Sequence, residues 1–205
     1  MLVLLSVFAI FIPALILPGP DFVAVVRSSM SGGTAAGLKT TLGVSTGLGL
    51  YATLSLLGLS TILMEFQWLA WAIRIFGGCY LIYLGIRLVF AKPEKLTVEQ
   101  GHMGRNPLLF GFLVTLTNPK AIVLFASVFA TAITDQTPAW ILIVMVALVV
   151  ASALAWYSLV SLFMSSRLVL KRFSDARHWV ERVAGVCFVA IGGRILADAR
   201  NPMTV

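Results

Sequence analysis

Six long apolar runs dominate the chain, at about residues 2–26, 41–64, 68–91, 107–133, 138–164 and 179–198. Within each run the apolar residues are continuous rather than alternating, and each run is well beyond the roughly 10 residues of a membrane barrel strand. In hydrocarbon only helices and closed barrels satisfy every backbone N–H and C=O. The pattern therefore predicts six helices, each near the length of about 20 residues that a crossing takes. The first run, MLVLLSVFAIFIP, carries no Lys or Arg ahead of its apolar stretch. It lacks the charged start of a cleaved signal and is expected to be a permanent span.

The polar connections sort by charge. Segments 27–40, 92–106 and 165–178 carry basic residues, among them Arg27, Lys39, Lys92, Lys95, Arg105, Arg167, Lys171, Arg172 and Arg177. Segments 65–67 (EFQ) and 134–137 (TDQT) carry none. Basic loops stay in the cytoplasm, so the alternation places the first, third and fifth connections inside and both termini outside, on the periplasmic side. Arg74, Arg194 and Arg200 run against this pattern without erasing it.

The chain also repeats. RIFGGCYLIYLGIRL (74–88) aligns with RVAGVCFVAIGGRIL (182–196), matching Arg74 with Arg182, Gly77 with Gly185, Cys79 with Cys187 and Gly85 with Gly193. LPGPDFVAVV (17–26) aligns with LTNPKAIVLF (116–125), matching Pro20 with Pro119. Repeat one is about 1–91, the cytoplasmic connector about 92–106 and repeat two about 107–200, all within a single transmembrane domain of 1–205. Three helices are an odd number, so the second repeat enters the membrane from the opposite face. Such inverted repeats recur in secondary transporters, whose sites lie near the midplane at broken helices.

The expected fold is an all-α integral membrane protein. Its six transmembrane helices form two inverted three-helix repeats, with proline-broken helices 1 and 4. In the first helix, Pro18, Gly19, Pro20 and Asp21 interrupt the backbone ladder and add a carboxylate. Each proline removes a donor and crowds the turn before it. The repeat supplies Asn118, Pro119 and Lys120 at the equivalent place in helix 4, with Lys120 falling on Asp21. A plain kink with Asp21 reaching the membrane surface is the blander alternative. Ionisable groups inside spans are otherwise functional by default. Asp21 and Lys120 are expected to face one polar cavity and to pair directly or through water when no solute is bound. Together they offer an anion for an ammonium and a cation for a carboxylate, which suits an amino-acid zwitterion. Asp21 is equally a candidate carrier of a coupling proton. Thr46 in helix 2 and Tyr80 in helix 3 are further candidates for lining the pathway. Gly43 and Gly47 read as close helix packing.

Composition agrees with this reading. The 205 residues are 60% hydrophobic and 11% charged, with mean hydropathy +0.99, against roughly a quarter charged in soluble domains. The net charge of +7 lies in short loops, so membrane orientation explains it and no nucleic-acid partner is expected. Neither a metal nor a cofactor is expected: no Cys/His spacing marks a metal site, and the phosphate-loop motif GxxxxGK[ST] is absent, which argues against ATP drive in this chain. Cys79 and Cys187 sit at equivalent repeat positions. They keep open a second hypothesis, a membrane thiol-disulfide electron carrier, although free cysteines are usually packing residues. A third is a non-transporting membrane interaction protein.

PGPDFVAVVRSSMSGGTAAGLKTTLGVSTG, IRIFGGCYLIYLGIRL and LTNPKAIVLF resemble, in order and over nearly the whole chain, the lysine-exporter (LysE) family. They are most similar to its branch for homoserine, threonine and related neutral amino acids (RhtB type). The resemblance implies a bacterial inner-membrane amino-acid exporter and not an enzyme, driven by the proton gradient through alternating access and working as a homodimer. It carries the broken-helix motifs onto Pro18, Gly19, Pro20 and Asp21, and onto Asn118, Pro119 and Lys120. Late in helix 4 the chain reads SVFATAITDQ, where the family often has a Pro-Gln-Phe-like segment.

Overall fold

The computed structural model describes residues 2–65, 67–90, 106–118, 120–122, 124–125, 137–163 and 167–199, and these are helical apart from short breaks. The elements are α1 (Leu2–Ile16), α2 (Pro20–Glu65), α3 (Gln67–Val89), α4 (Pro107–Leu116), α5 (Ala139–Phe163) and α6 (Arg167–Ala199). Residues 120–122 and 124–125 resume a helix beyond α4.

Local chemistry sets the ends. α1 stops before Leu17-Pro18-Gly19, and the chain restarts with Pro20 at the first helical position and the Gly19 carbonyl accepting from Val23 N at 2.9 Å. Proline suits that position because its missing N–H would have no partner there. The Asn106 side chain caps α4 by accepting from Leu108 N (3.1 Å) and Leu109 N (3.3 Å), with Pro107 next.

Two of the expected connections are largely helical instead. Segment 27–40 is not an open loop: α2 runs through it and reverses at Gly33, where φ is 73° and ψ 177°. That region of backbone space is essentially closed to residues with a Cβ. The reversal lays the two arms side by side, so that Thr40 Oγ1 lies 2.7 Å from Ser28 Oγ. Likewise α6 begins at Arg167, taking in most of the connection expected at 165–178.

Glycines let the helices meet backbone to backbone. A Cβ on Gly85 would lie 2.6 Å from the Gly185 carbonyl oxygen, and one on Gly192 would lie 2.7 Å from that of Gly78, so α3 and α6 cross without side chains between them. Gly43 and Gly47 seat α2 on α4, against Leu108 and Thr115. Gly49 abuts Val150 of α5.

The core is mainly apolar, with a set of polar side chains buried inside it, and the exterior is apolar as well. Asp21, Ser28, Ser29, Thr40, Thr115, Asn118 and Ser161 are buried, whereas Phe76, Phe90 and Ile143 are 76%, 79% and 70% exposed. Such an apolar exterior is stable in lipid and costly in water. Among the described residues one helix, Ala139–Phe163, is long and apolar enough to cross a membrane alone. Leu4–Ile16 and Pro20–Leu56 add a pair bent by 45°. Among the described residues, the expected six spans are thus met in part. α4 by itself extends only about 15 Å, 10 residues at 1.5 Å each, about half of a hydrocarbon core.

Candidate functional site

The two proline-broken segments meet in the interior. Asp21 lies in the first turn of α2, where the helix end presents free N–H groups and a positive dipole end. Its carboxylate accepts from Thr115 Oγ1 at 3.0 Å and from Asn118 Nδ2 at 3.0 Å, one donor to each oxygen. Both donors belong to the end of α4 and its break. In the opposite direction, Lys120 Nζ donates to the carbonyls of Ala14 and Leu17, the latter at 3.2 Å. Those carbonyls lie at the C-terminal end of α1, which carries the negative end of that helix dipole. Each break thus satisfies the backbone or charge that the other exposes.

Supporting contacts hold this arrangement. The Asn118 side-chain oxygen accepts from Lys120 N at 3.1 Å, so one amide both fixes the break and holds Asp21. Tyr51 of α2 donates to the Leu116 carbonyl at 2.7 Å, at the end of α4. Its ring stacks on Phe125 with centroids 6.0 Å apart, and Phe11 meets Phe125 edge-on at 5.9 Å.

Asp21, Asn118 and Lys120 line one small cavity, together with Ala14, Leu48 and Tyr157 among others. Its volume is about 20 Å³, which holds a water molecule and no amino acid. Asp21 and Lys120 face this common space yet make no direct ion pair: each charge is held by other groups. The direct form of the expected pairing is therefore absent. The chemical consequence is that neutral groups, rather than each other, occupy the hydrogen-bonding positions of the two side chains. An entering ammonium can displace Asn118 or Thr115 from Asp21, and an entering carboxylate can displace carbonyls from Lys120.

The remaining sequence candidates divide. Gly19 adjoins the site, since a Cβ there would lie 3.6 Å from Lys120 Nζ. Pro18 is buried in the break and Pro20 is exposed at the start of α2. Pro119 lies outside the described residues. Thr46 is exposed and donates to its own helix at the Leu42 carbonyl, 2.8 Å away, so it is not brought to the cavity. Tyr80 packs against Tyr83 on α3, with centroids 6.3 Å apart, and does not line the cavity. Cys79 and Cys187 are free thiols, the first exposed, and neither lines the cavity.

Thr115, Tyr51 and Tyr157 join the site without having been singled out as site residues from the sequence. Thr115 had a readable signal. It stands three residues before Asn118, which is one helical turn. Tyr157 lies within a continuous apolar run that gives no such cue.

Comparison with known proteins gives a consistent result. Residues 12–199 match the family model described as LysE type translocator. The threonine efflux protein of Escherichia coli K12 is 30% identical over 202 residues, covering 94% of this chain and 96% of its own. That of Salmonella typhimurium LT2 is 30% identical over 199 residues, with the same coverage of 94% and 96%. An uncharacterized membrane protein of Haemophilus influenzae is 27% identical over 207 residues, covering 97% and 98%. No solved structure matches.

Proposed function

Because this chain belongs to the LysE type translocator family, we propose that it exports small neutral amino acids or close derivatives from the bacterial cytoplasm across the inner membrane. The observation that carries this reading is the cross-bonding of the two broken segments, which leaves Asp21 and Lys120 on one cavity without an ion pair between them. The α-ammonium of a solute goes to Asp21 and its carboxylate to Lys120, and the groups displaced are neutral. Names of the relatives support the solute class, since two of them are threonine efflux proteins.

In this mechanism the present state is the closed one, with the two broken segments bonded to each other. A zwitterion that takes over Lys120 releases the Ala14 and Leu17 carbonyls, and one that takes over Asp21 releases Thr115 and Asn118. The two segments are then tied through the solute rather than to each other, and their relative movement is alternating access. Proton antiport completes the cycle, with Asp21 taking the proton when the solute leaves. The order of contacts supports inverted repeats. Under the offset of 108, the pair Gly85 and Gly185 exchanges into 193 and 77, one residue from the observed pair Gly192 and Gly78. Such self-exchange is what an in-plane pseudo-twofold axis requires. Six spans, both termini outside and a homodimer belong to the same proposal.

The test is efflux from cells or vesicles preloaded with a mixed neutral amino-acid pool, comparing wild type with Asp21→Asn. Faster loss of one or a few amino acids, abolished by the substitution, is the expected result. A wild-type protein that accelerates none of them sinks the proposal.

A further inference from the structure

Two buried hydroxyls in the middle of α2, Thr41 Oγ1 and Ser45 Oγ, have no hydrogen-bond partner, although each residue is only 1% exposed. A helical Ser or Thr normally donates to the carbonyl four residues earlier. Thr40, Thr46 and Thr53 do so in the same helix. Unpaired buried hydroxyls are rare because they lose water and gain nothing in return.

Their position gives them meaning. Steps of three to four residues place Gly37, Thr41, Ser45 and Leu48 in file along one face of α2, and Leu48 lines the cavity that holds Asp21 and Lys120. At the other end of the file, near the Gly33 reversal, Gly37 is pressed against the hydroxyls of Ser29 and Ser161, which a Cβ would overlap. The Ser29 and Ser161 hydroxyls are 3.1 Å apart, and Ser161 donates to the Thr34 carbonyl at 3.1 Å. These contacts close α5 onto the hairpin.

We propose that Ser29, Gly37 and Ser161 form the gate on the Gly33 side of the site, and that Thr41 and Ser45 line the solute path behind it. The proposal rests on the exporter reading. With the gate shut the two hydroxyls are buried and unpaired. When it opens they meet water and the passing solute, and a hydroxyl can accept from an ammonium or donate to a carboxylate. Arg27 and Lys39 flank this end, which places it on the cytoplasmic side.

Charged thiol reagents test the path without requiring transport. In a Cys79→Ala, Cys187→Ala background, Ser45→Cys is treated with a membrane-impermeant, negatively charged methanethiosulfonate in inside-out vesicles. Only a hydrated thiol ionises and reacts. The expected rate is at least about 10-fold above that of Leu42→Cys, because lipid keeps that thiol protonated; Leu42 is 49% exposed on the outer face of the same helix. Adding Gly37→Ala, which forces the gate hydroxyls apart, raises the rate further. Thr41→Cys serves in place of Ser45→Cys if that variant does not insert. Reaction no faster than at Leu42→Cys in both backgrounds, or reaction only from the opposite face, overturns the proposal. Absent efflux by wild type would strike the exporter reading and leave the labelling result standing.

Discussion

Lys120 holds the Leu17 carbonyl at 3.2 Å and leaves Asp21 to Asn118 and Thr115. The cation of the second broken segment thus anchors the first segment's backbone, while the anion of the first is held by neutral donors of the second. Lys120→Met keeps length and apolar bulk but strands the Ala14 and Leu17 carbonyls. Leaving buried acceptors unsatisfied costs about 1–3 kcal/mol each. The expected outcome is loss of efflux together with a lower melting temperature in detergent. Full efflux by Lys120→Met would show that the ammonium is dispensable.

Thr115 separates the role of the hydroxyl from that of the side-chain shape. Thr115→Val keeps the branched form packed against Gly47 and removes one of the two donors to Asp21. A hydrogen bond to a charged group contributes about 1.5–3 kcal/mol. Efflux by Thr115→Val should fall by about 10-fold or more, the factor that 1.4 kcal/mol produces, and Thr115→Ser should recover most of it. Equal efflux by Val and Ser variants would place the hydroxyl outside the working site.

Much of this site was legible because proline and charge are conspicuous inside apolar runs. Pro18, Gly19, Pro20 and Asp21 and the repeat-related Asn118 and Lys120 announce a broken backbone and two ionisable groups where lipid tolerates neither unaided. Their mutual satisfaction was less accessible. Which carbonyl Lys120 takes depends on where α1 ends, and the path from Tyr51 to Leu116 joins residues 65 apart in sequence. The hairpin was missed for a different reason. Small polar residues in RSSMSGGT read as a loop in water, yet between packed membrane helices the same residues allow backbones to approach. Thr46 was misplaced because alternation of small and polar residues along α2 does not say which face meets lipid, and Thr46 satisfies its own hydroxyl at Leu42.

Tyr51 isolates one backbone bond. Tyr51→Phe deletes the hydroxyl that donates to the Leu116 carbonyl at 2.7 Å and keeps the ring stacked on Phe125. The expected loss is about 1 kcal/mol, a typical net hydrogen bond, read as a modestly lower melting temperature with efflux retained. Abolished efflux at unchanged melting temperature would instead make the hydroxyl a solute ligand.

Gly33 sets the geometry of the hairpin and therefore of everything between it and Asp21. Its φ of 73° with ψ of 177° is open to glycine alone among common residues. No group beyond the adjoining backbone lies within 4 Å of where a Cβ would sit, so Gly33→Ala meets no packing neighbour and suffers only backbone strain. That strain is of order 1–3 kcal/mol. Gly193 is a matched control, because it too has open space around a would-be Cβ but lies within the α6 helix. There Ala should be neutral or stabilising, since glycine is a poor helix former by about 1 kcal/mol. Thermal unfolding of the two variants in detergent decides the matter: Gly33→Ala should unfold at lower temperature than wild type, and Gly193→Ala at the same temperature or higher. Equal behaviour of the two would mean that the reversal at Gly33 is not the conformation that the folded protein holds.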